Sequence, residues 1–140
     1  MKKKVLFICT HNSARSQIAE GLVKSLYGDR FEAYSAGTEP TKVNPYAVKV
    51  MDEIGIDISK HYSKKVDEFT GTTFDYVVAV CSGADKSCPF FLGGEYIHKS
   101  FEDPSSFKGT DDEIMKKFRS VRDEIKEWIQ KNFVYNVNIN

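Results

Sequence analysis

Two stretches of this chain are apolar or aromatic without a break, Val5–Cys9 (VLFIC) and Tyr76–Val80 (YVVAV), and each brings the chain to a cysteine, Cys9 or Cys81. A strand with one wet face alternates, so an unbroken run of this length marks a strand covered on both faces, as in a parallel sheet. The first strand is predicted over Lys4–Cys9. After a polar loop, Ile18, Ala19, Leu22, Val23 and Leu26 share one face of a helix that begins at Ser16 and is closed by Gly28. Phe31–Ser35 reads as a second strand, ended by Gly37 and Pro40. Asn44-Pro45 then supplies a cap and a first-turn proline for a helix whose apolar face is Ala47, Val48, Met51 and Ile54, stopped by Gly55. Glu95–Lys99 is a weaker strand. Thr110 with Glu113 forms a capping box ahead of a long stripe, Ile114, Phe118, Val121, Ile125 and Ile129.

Strands alternating with helices predict an α/β fold: a single domain over residues 1–140, with a four-stranded parallel sheet and flanking helices. No repeat or linker divides the chain, and 140 residues with 41% hydrophobic content suit one core. In such sheets ligands sit at the carboxyl ends of the strands. Both Cys9 and Cys81 lie there.

Lysine plus arginine and aspartate plus glutamate each number 20, so no general field draws nucleic acid or an anionic membrane. Any anion must be held locally. The apolar run after Lys2–Lys4 is shorter than the core of a signal peptide, and nothing approaches the roughly 20 apolar residues of a membrane span. The chain is therefore expected in the cytoplasm, as a monomer, with neither nucleic acid nor membrane as partner. Three cysteines in such a chain are reactive, metal-bound or core thiols rather than a disulfide framework.

The loop Cys9, Thr10, His11, Asn12, Ser13, Ala14, Arg15 joins strand to helix, so its backbone N–H groups can curl around an anion at the helix start. Arg15 adds a planar cationic fork for two oxygens of a tetrahedral oxyanion. Ser16 can cap the helix or donate to the sulfur. A cysteine thiol, with a pKa of about 8.5 in water, falls to roughly 3.5–7.5 at helix starts beside cations, so Cys9 is expected to be a thiolate nucleophile. Taken singly, a cysteine ending a strand is more often a core residue and an arginine more often solvated. The C-x5-R spacing with small and hydroxyl residues around it favours the functional reading.

The segment "CTHNSARSQIAEG" resembles the anion loop of the low-molecular-weight protein tyrosine phosphatase fold, and in wording the thioredoxin-coupled arsenate reductases built on it. "YSAGTEP", "NPYAVKVM", "CSGADKSC", "FEDPSSF" and "VRDEIKEWI" follow in matching order. The resemblance implies attack by Cys9 on arsenate, or a phosphate- or sulfate-like oxyanion, held by Thr10–Ser16 with Arg15. It also implies Asp103, the aspartate before a proline, as the acid that protonates the leaving oxygen, with Glu102 its local competitor.

A phosphatase would hydrolyse the cysteinyl ester with water. Reduction of arsenate takes two electrons, which two thiols supply by becoming a disulfide. The reductase reading therefore uses Cys81 against Cys9, then Cys88 against Cys81, giving disulfides Cys9–Cys81 and Cys81–Cys88 in turn, with thioredoxin as the external reductant and no organic cofactor. Ser105 and Ser106 stand where a phosphotyrosine phosphatase usually carries tyrosines after its Asp-Pro. A phosphatase on small phosphomonoesters and an oxyanion-binding redox sensor remain the alternatives. Zinc on Cys81 and Cys88 with His61 or His98 lacks the usual short ligand spacing, so no metal is expected. Some relatives of this family hold potassium beside the loop through residues matching Asn12, Glu20 and Ser35, with an aspartate after an H-x-S segment. Here Lys64 follows His61-Tyr62-Ser63. An ammonium there is expected to repel a metal ion and to pair with Glu20, although Lys64 could equally point into water and nearby Asp67 could serve as a ligand.

Overall fold

The computed structural model describes residues 2–81 and 93–133. Four parallel strands, β1 (Lys3–Cys9), β2 (Phe31–Gly37), β3 (Tyr76–Ala79) and β4 (Glu95–His98), form one sheet in the order β2-β1-β3-β4. Three α-helices accompany it: α1 (Arg15–Tyr27), α2 (Pro45–Asp52) and α3 (Asp111–Asn132). The expected α/β class and four-stranded parallel sheet are observed.

Because successive side chains of a strand point to opposite faces, β1 feeds two cores. Val5, Phe7 and Cys9 join the helices Ile18, Leu22, Met51, Val121 and Ile125 come from. Leu6 and Ile8 pack with Phe74, Val77 and Ala79, beneath Tyr34, Val66 and Phe69. The helical cover is thus on one face, while a short 3-10 turn at Val66–Phe69 helps cover the other. That turn carries no periodicity and was not expected. Burying the apolar part of such side chains contributes about 25 cal/mol per Å², which is why the unbroken runs dictate the sheet.

Element boundaries shift modestly from expectation. β2 continues to Gly37, and β3 ends at Ala79 although the Val80 N–H still donates to Ile8 O at 2.9 Å. In α1, every residue from Arg15 to Val23 is buried, polar ones included, whereas Leu26 on the last turn is 37% exposed. An amphipathic reading does not anticipate a helix enclosed on all sides over Arg15–Val23. Its buried Ser16 and Gln17 are tied to the loop that precedes it, and its buried Glu20 to Ser35 on β2 and to Lys24. The Asn44 cap with Pro45, and the Thr110–Glu113 capping box, are both formed.

Candidate active site

β1 ends at Cys9 and α1 begins at Arg15, so the five residues between them form the loop at the carboxyl edge of the sheet. No side chain caps α1, which leaves its first N–H groups to an anion. Cys9, His11, Ser13, Ala14, Arg15, Thr41, Asp103 and Ser105 line a cavity of about 150 Å³. A larger cavity of about 420 Å³ lies between the segment after β4 and α3. No cysteine lines it, so chemistry and not size marks the site.

Arg15 is 3% exposed, its Nη1 donating to Phe101 O at 3.3 Å and its Nη2 3.6 Å from Asp103 Oδ2. A buried guanidinium needs an anionic partner, and Asp103 faces it from across the cavity. The other Asp103 oxygen, Oδ1, accepts from the Ser105 N–H at 3.0 Å and Ser105 Oγ at 2.7 Å, which fixes the carboxyl group at the start of a turn over Pro104–Ser106. Glu102 instead pairs with Lys117 on α3 at 2.6 Å. Glu102 lines the larger cavity and not that of Cys9, whereas Asp103 lines the latter.

Cys9 is a buried, free thiol whose Sγ lies 2.9 Å from Ser16 Oγ. Orientation in this group can be traced outward from a donor that cannot be reversed. The backbone N–H of Lys64 donates to Asn12 Oδ1 at 2.9 Å, so Asn12 Nδ2 must face Ser16 Oγ, at 2.8 Å. The Ser16 oxygen accepts that bond, and its own proton is left to point at the Cys9 sulfur. Asn12 is also the one non-glycine at positive φ, 50°, among the described residues. Its carbonyl accepts from Ser63 Oγ at 2.8 Å and Gln17 Nε2 at 3.2 Å. Thr10 Oγ1 is buried without a hydrogen-bond partner among the described residues, while its carbonyl accepts from the Glu39 N–H at 2.8 Å. His11 Nδ1 bonds Glu39 O at 3.1 Å and must therefore carry the proton.

Segment 61–65 and Gly37 form the back wall of the loop, which the sequence reading largely missed. A Cβ on Gly37 would stand 2.5 Å from Thr10 O and 2.9 Å from Asn12 N. A glycine ending a strand is the signal that a backbone approaches closely there. Behind Asn12, the Glu20 carboxylate is buried; Oε1 accepts from Ser35 Oγ and lies 3.8 Å from Lys64 Nζ, and Oε2 pairs with Lys24 Nζ at 2.5 Å. Burial pulls Lys64 below the ordinary lysine pKa, opposed by Glu20. Burial likewise lowers His61, whose Nδ1 bonds Gln17 Oε1 at 3.0 Å and lies 3.9 Å from Glu20 Oε2. The residues present do not fit a potassium ion, because an ammonium already faces the carboxylate and Asn12 Oδ1 is taken by N–H donors. Asp67 pairs with Lys65 at 3.7 Å on the surface instead.

Cys81, fully buried just past β3, has its Sγ 4.0 Å from the carbonyl of Ile8, the neighbour of Cys9. It is disulfide-bonded, and since Cys9 is free the bond does not join those two. His98 Nε2 lies 3.0 Å from Cys81 O and donates to it. The structure thus gathers Cys9, Arg15, Ser16 and Asp103, with Cys81 in the same buried core as Cys9. Cys88 lies outside the described residues. No group of three or more His, Cys, Asp or Glu among the described residues is placed to hold a metal, and no described helix is long and apolar enough to cross a membrane.

The family model of the low molecular weight phosphotyrosine protein phosphatases matches residues 4–138. The chain belongs to that family. Within it, an arsenate reductase of Halalkalibacterium halodurans is 47% identical over 130 residues, 92% of this chain and 94% of that protein. A solved structure described as an arsenate reductase in the phosphate binding state superposes with a TM-score of 0.77 at 33% identity, covering 94% of this chain and 95% of the other. A thioredoxin-dependent arsenate reductase of Corynebacterium glutamicum matches with a TM-score of 0.63 at 30% identity, covering 93% of this chain and 63% of that one. This low molecular weight phosphatase fold therefore carries, in these relatives, a reductase named for arsenate.

Proposed function

We propose that this chain is an arsenate reductase that draws its electrons from thioredoxin. The observation that carries the reading is a free thiol inside a cavity lined by Arg15, with a second buried cysteine just past the end of the adjacent strand. The relatives named arsenate reductase, similar over nearly the whole chain, support it.

Arsenate oxygens bond the loop N–H groups and Arg15, whose charge offsets that of the anion. The Cys9 thiolate, with the Ser16 hydroxyl directed at it, attacks arsenic(V). Asp103 gives its proton to the departing oxygen, which leaves as water. The Cys81 thiolate then attacks the Cys9 sulfur. A sulfur–sulfur bond forms, the sulfur–arsenic bond breaks, and its electron pair stays with arsenic, released as arsenite. Cys88 attacks Cys81, freeing the Cys9 thiolate, and thioredoxin reduces the Cys81–Cys88 disulfide by exchange. Two thiols are oxidised for each arsenic reduced. We place the protein in the cytoplasm, where thiols are kept reduced, working as a monomer.

The test is to incubate the protein with arsenate, thioredoxin, thioredoxin reductase and NADPH. Arsenate-dependent NADPH oxidation matched by arsenite is expected. Release of phosphate from a small phosphomonoester with no thiol reductant, and no arsenite, would make the protein a phosphatase instead.

A further inference from the structure

Behind the anion loop stands a charge that works against anion binding. Glu20 is 4% exposed and sits five residues, about 7.5 Å of helix rise, beyond Arg15. A lone carboxylate there repels an oxyanion at the helix start and opposes the positive end of α1. Two ammonium groups face it. Lys24 is 49% exposed at its side chain, so solvent screens it; Lys64, 11% exposed, is screened far less.

Lys64 is held in three ways. Its Nζ donates to Tyr62 O at 2.9 Å and lies 4.8 Å from the Tyr62 ring centroid, as a cation over a π face. The Gly37 N–H donates to its carbonyl at 2.8 Å. Its own N–H fixes the Asn12 amide, which fixes Ser16 against Cys9. One residue therefore supplies a charge to Glu20 and an orientation to the nucleophile.

We infer that Lys64 is a built-in counter-ion and positioning residue, occupying the place where the family resemblance implies potassium and making the anion loop independent of any added monovalent cation. The inference concerns the site of the proposed reductase, but its test uses binding of inorganic phosphate, which needs no thiol chemistry. A protein that fails to reduce arsenate can still pass it.

The experiment measures phosphate affinity by titration calorimetry for wild type, Lys64→Ala and Lys64→Arg, in potassium, sodium, methylammonium and tetramethylammonium salts at equal ionic strength. Without Lys64 the buried Glu20 carboxylate keeps only the solvent-screened Lys24 as an ammonium partner, so Lys64→Ala should bind phosphate about tenfold more weakly. Methylammonium or potassium should restore most of that loss by filling the vacated space, and the bulky tetramethylammonium should not. Lys64→Arg should stay near wild type. Wild type should be indifferent to exchange of potassium for sodium, a measurement that stands even if Lys64→Ala does not fold. Wild-type affinity in Lys64→Ala, a loss that no small cation restores, or a potassium-specific gain in the wild type would each overturn the inference.

Discussion

The ends of β1 and β3 lie side by side on the same edge of the sheet, each delivering a buried cysteine, and yet they are built differently. At the end of β1 the chain enters a helix. Cys9 is a free thiol with Ser16 at 2.9 Å, Asn12 locked from behind and Arg15 buried alongside. At the end of β3, the bonds described on Cys81 are a disulfide and a carbonyl bond from His98. A thiol that must attack an anion needs a preorganised cation and donors. A thiol that must attack another sulfur needs only proximity and access. The difference between the two ends fits an attacking and a relaying cysteine.

The largest effect that could break this division comes from Cys9→Ser, expected to form no arsenite and to keep its remaining thiols on exposure to arsenate. Arsenite produced by that variant would remove Cys9 from the first step. Cys88→Ser should release a single equivalent of arsenite and then stop, with Cys9 and Cys81 joined, as mass mapping of the linked peptides would show. Arg15→Gln removes the fork but leaves the thiols. Its kcat/KM for arsenate should fall about 10³-fold, on the scale of losing a preorganised charge-stabilising group, with dithiothreitol-driven exchange at Cys81 unchanged. The smallest effects form a matched pair. Ser16→Ala should slow alkylation of Cys9 by iodoacetamide about tenfold, near the low end for a lost hydrogen bond to a charged group. His98→Ala should leave that rate alone and slow only formation of the Cys81–Cys88 disulfide.

The elements governed by local pattern were legible in the sequence. VLFIC and YVVAV became β1 and β3, and the Thr110–Glu113 box opens α3. The Cys9-to-Arg15 spacing pointed at the cavity because strand, loop and helix are contiguous in the chain. What the residues alone did not reveal depends on segments that meet only after folding. Ser63 and the backbone of Lys64 reach Asn12 across some fifty residues of sequence, and the Gly37 contact with Thr10 arises from strand register. Neither leaves a periodic mark. Gln17, which looked like an ordinary polar helix position, is buried for the same reason: the back wall folds over it.

The most direct measurement is a single turnover of the fully reduced protein with arsenate and no thioredoxin, counting arsenite released and thiols remaining. With three cysteines in the chain, the expected result is one arsenite per chain and the loss of two thiols. Arsenate returned unreduced, with all three thiols still titratable, would contradict reduction by paired cysteines.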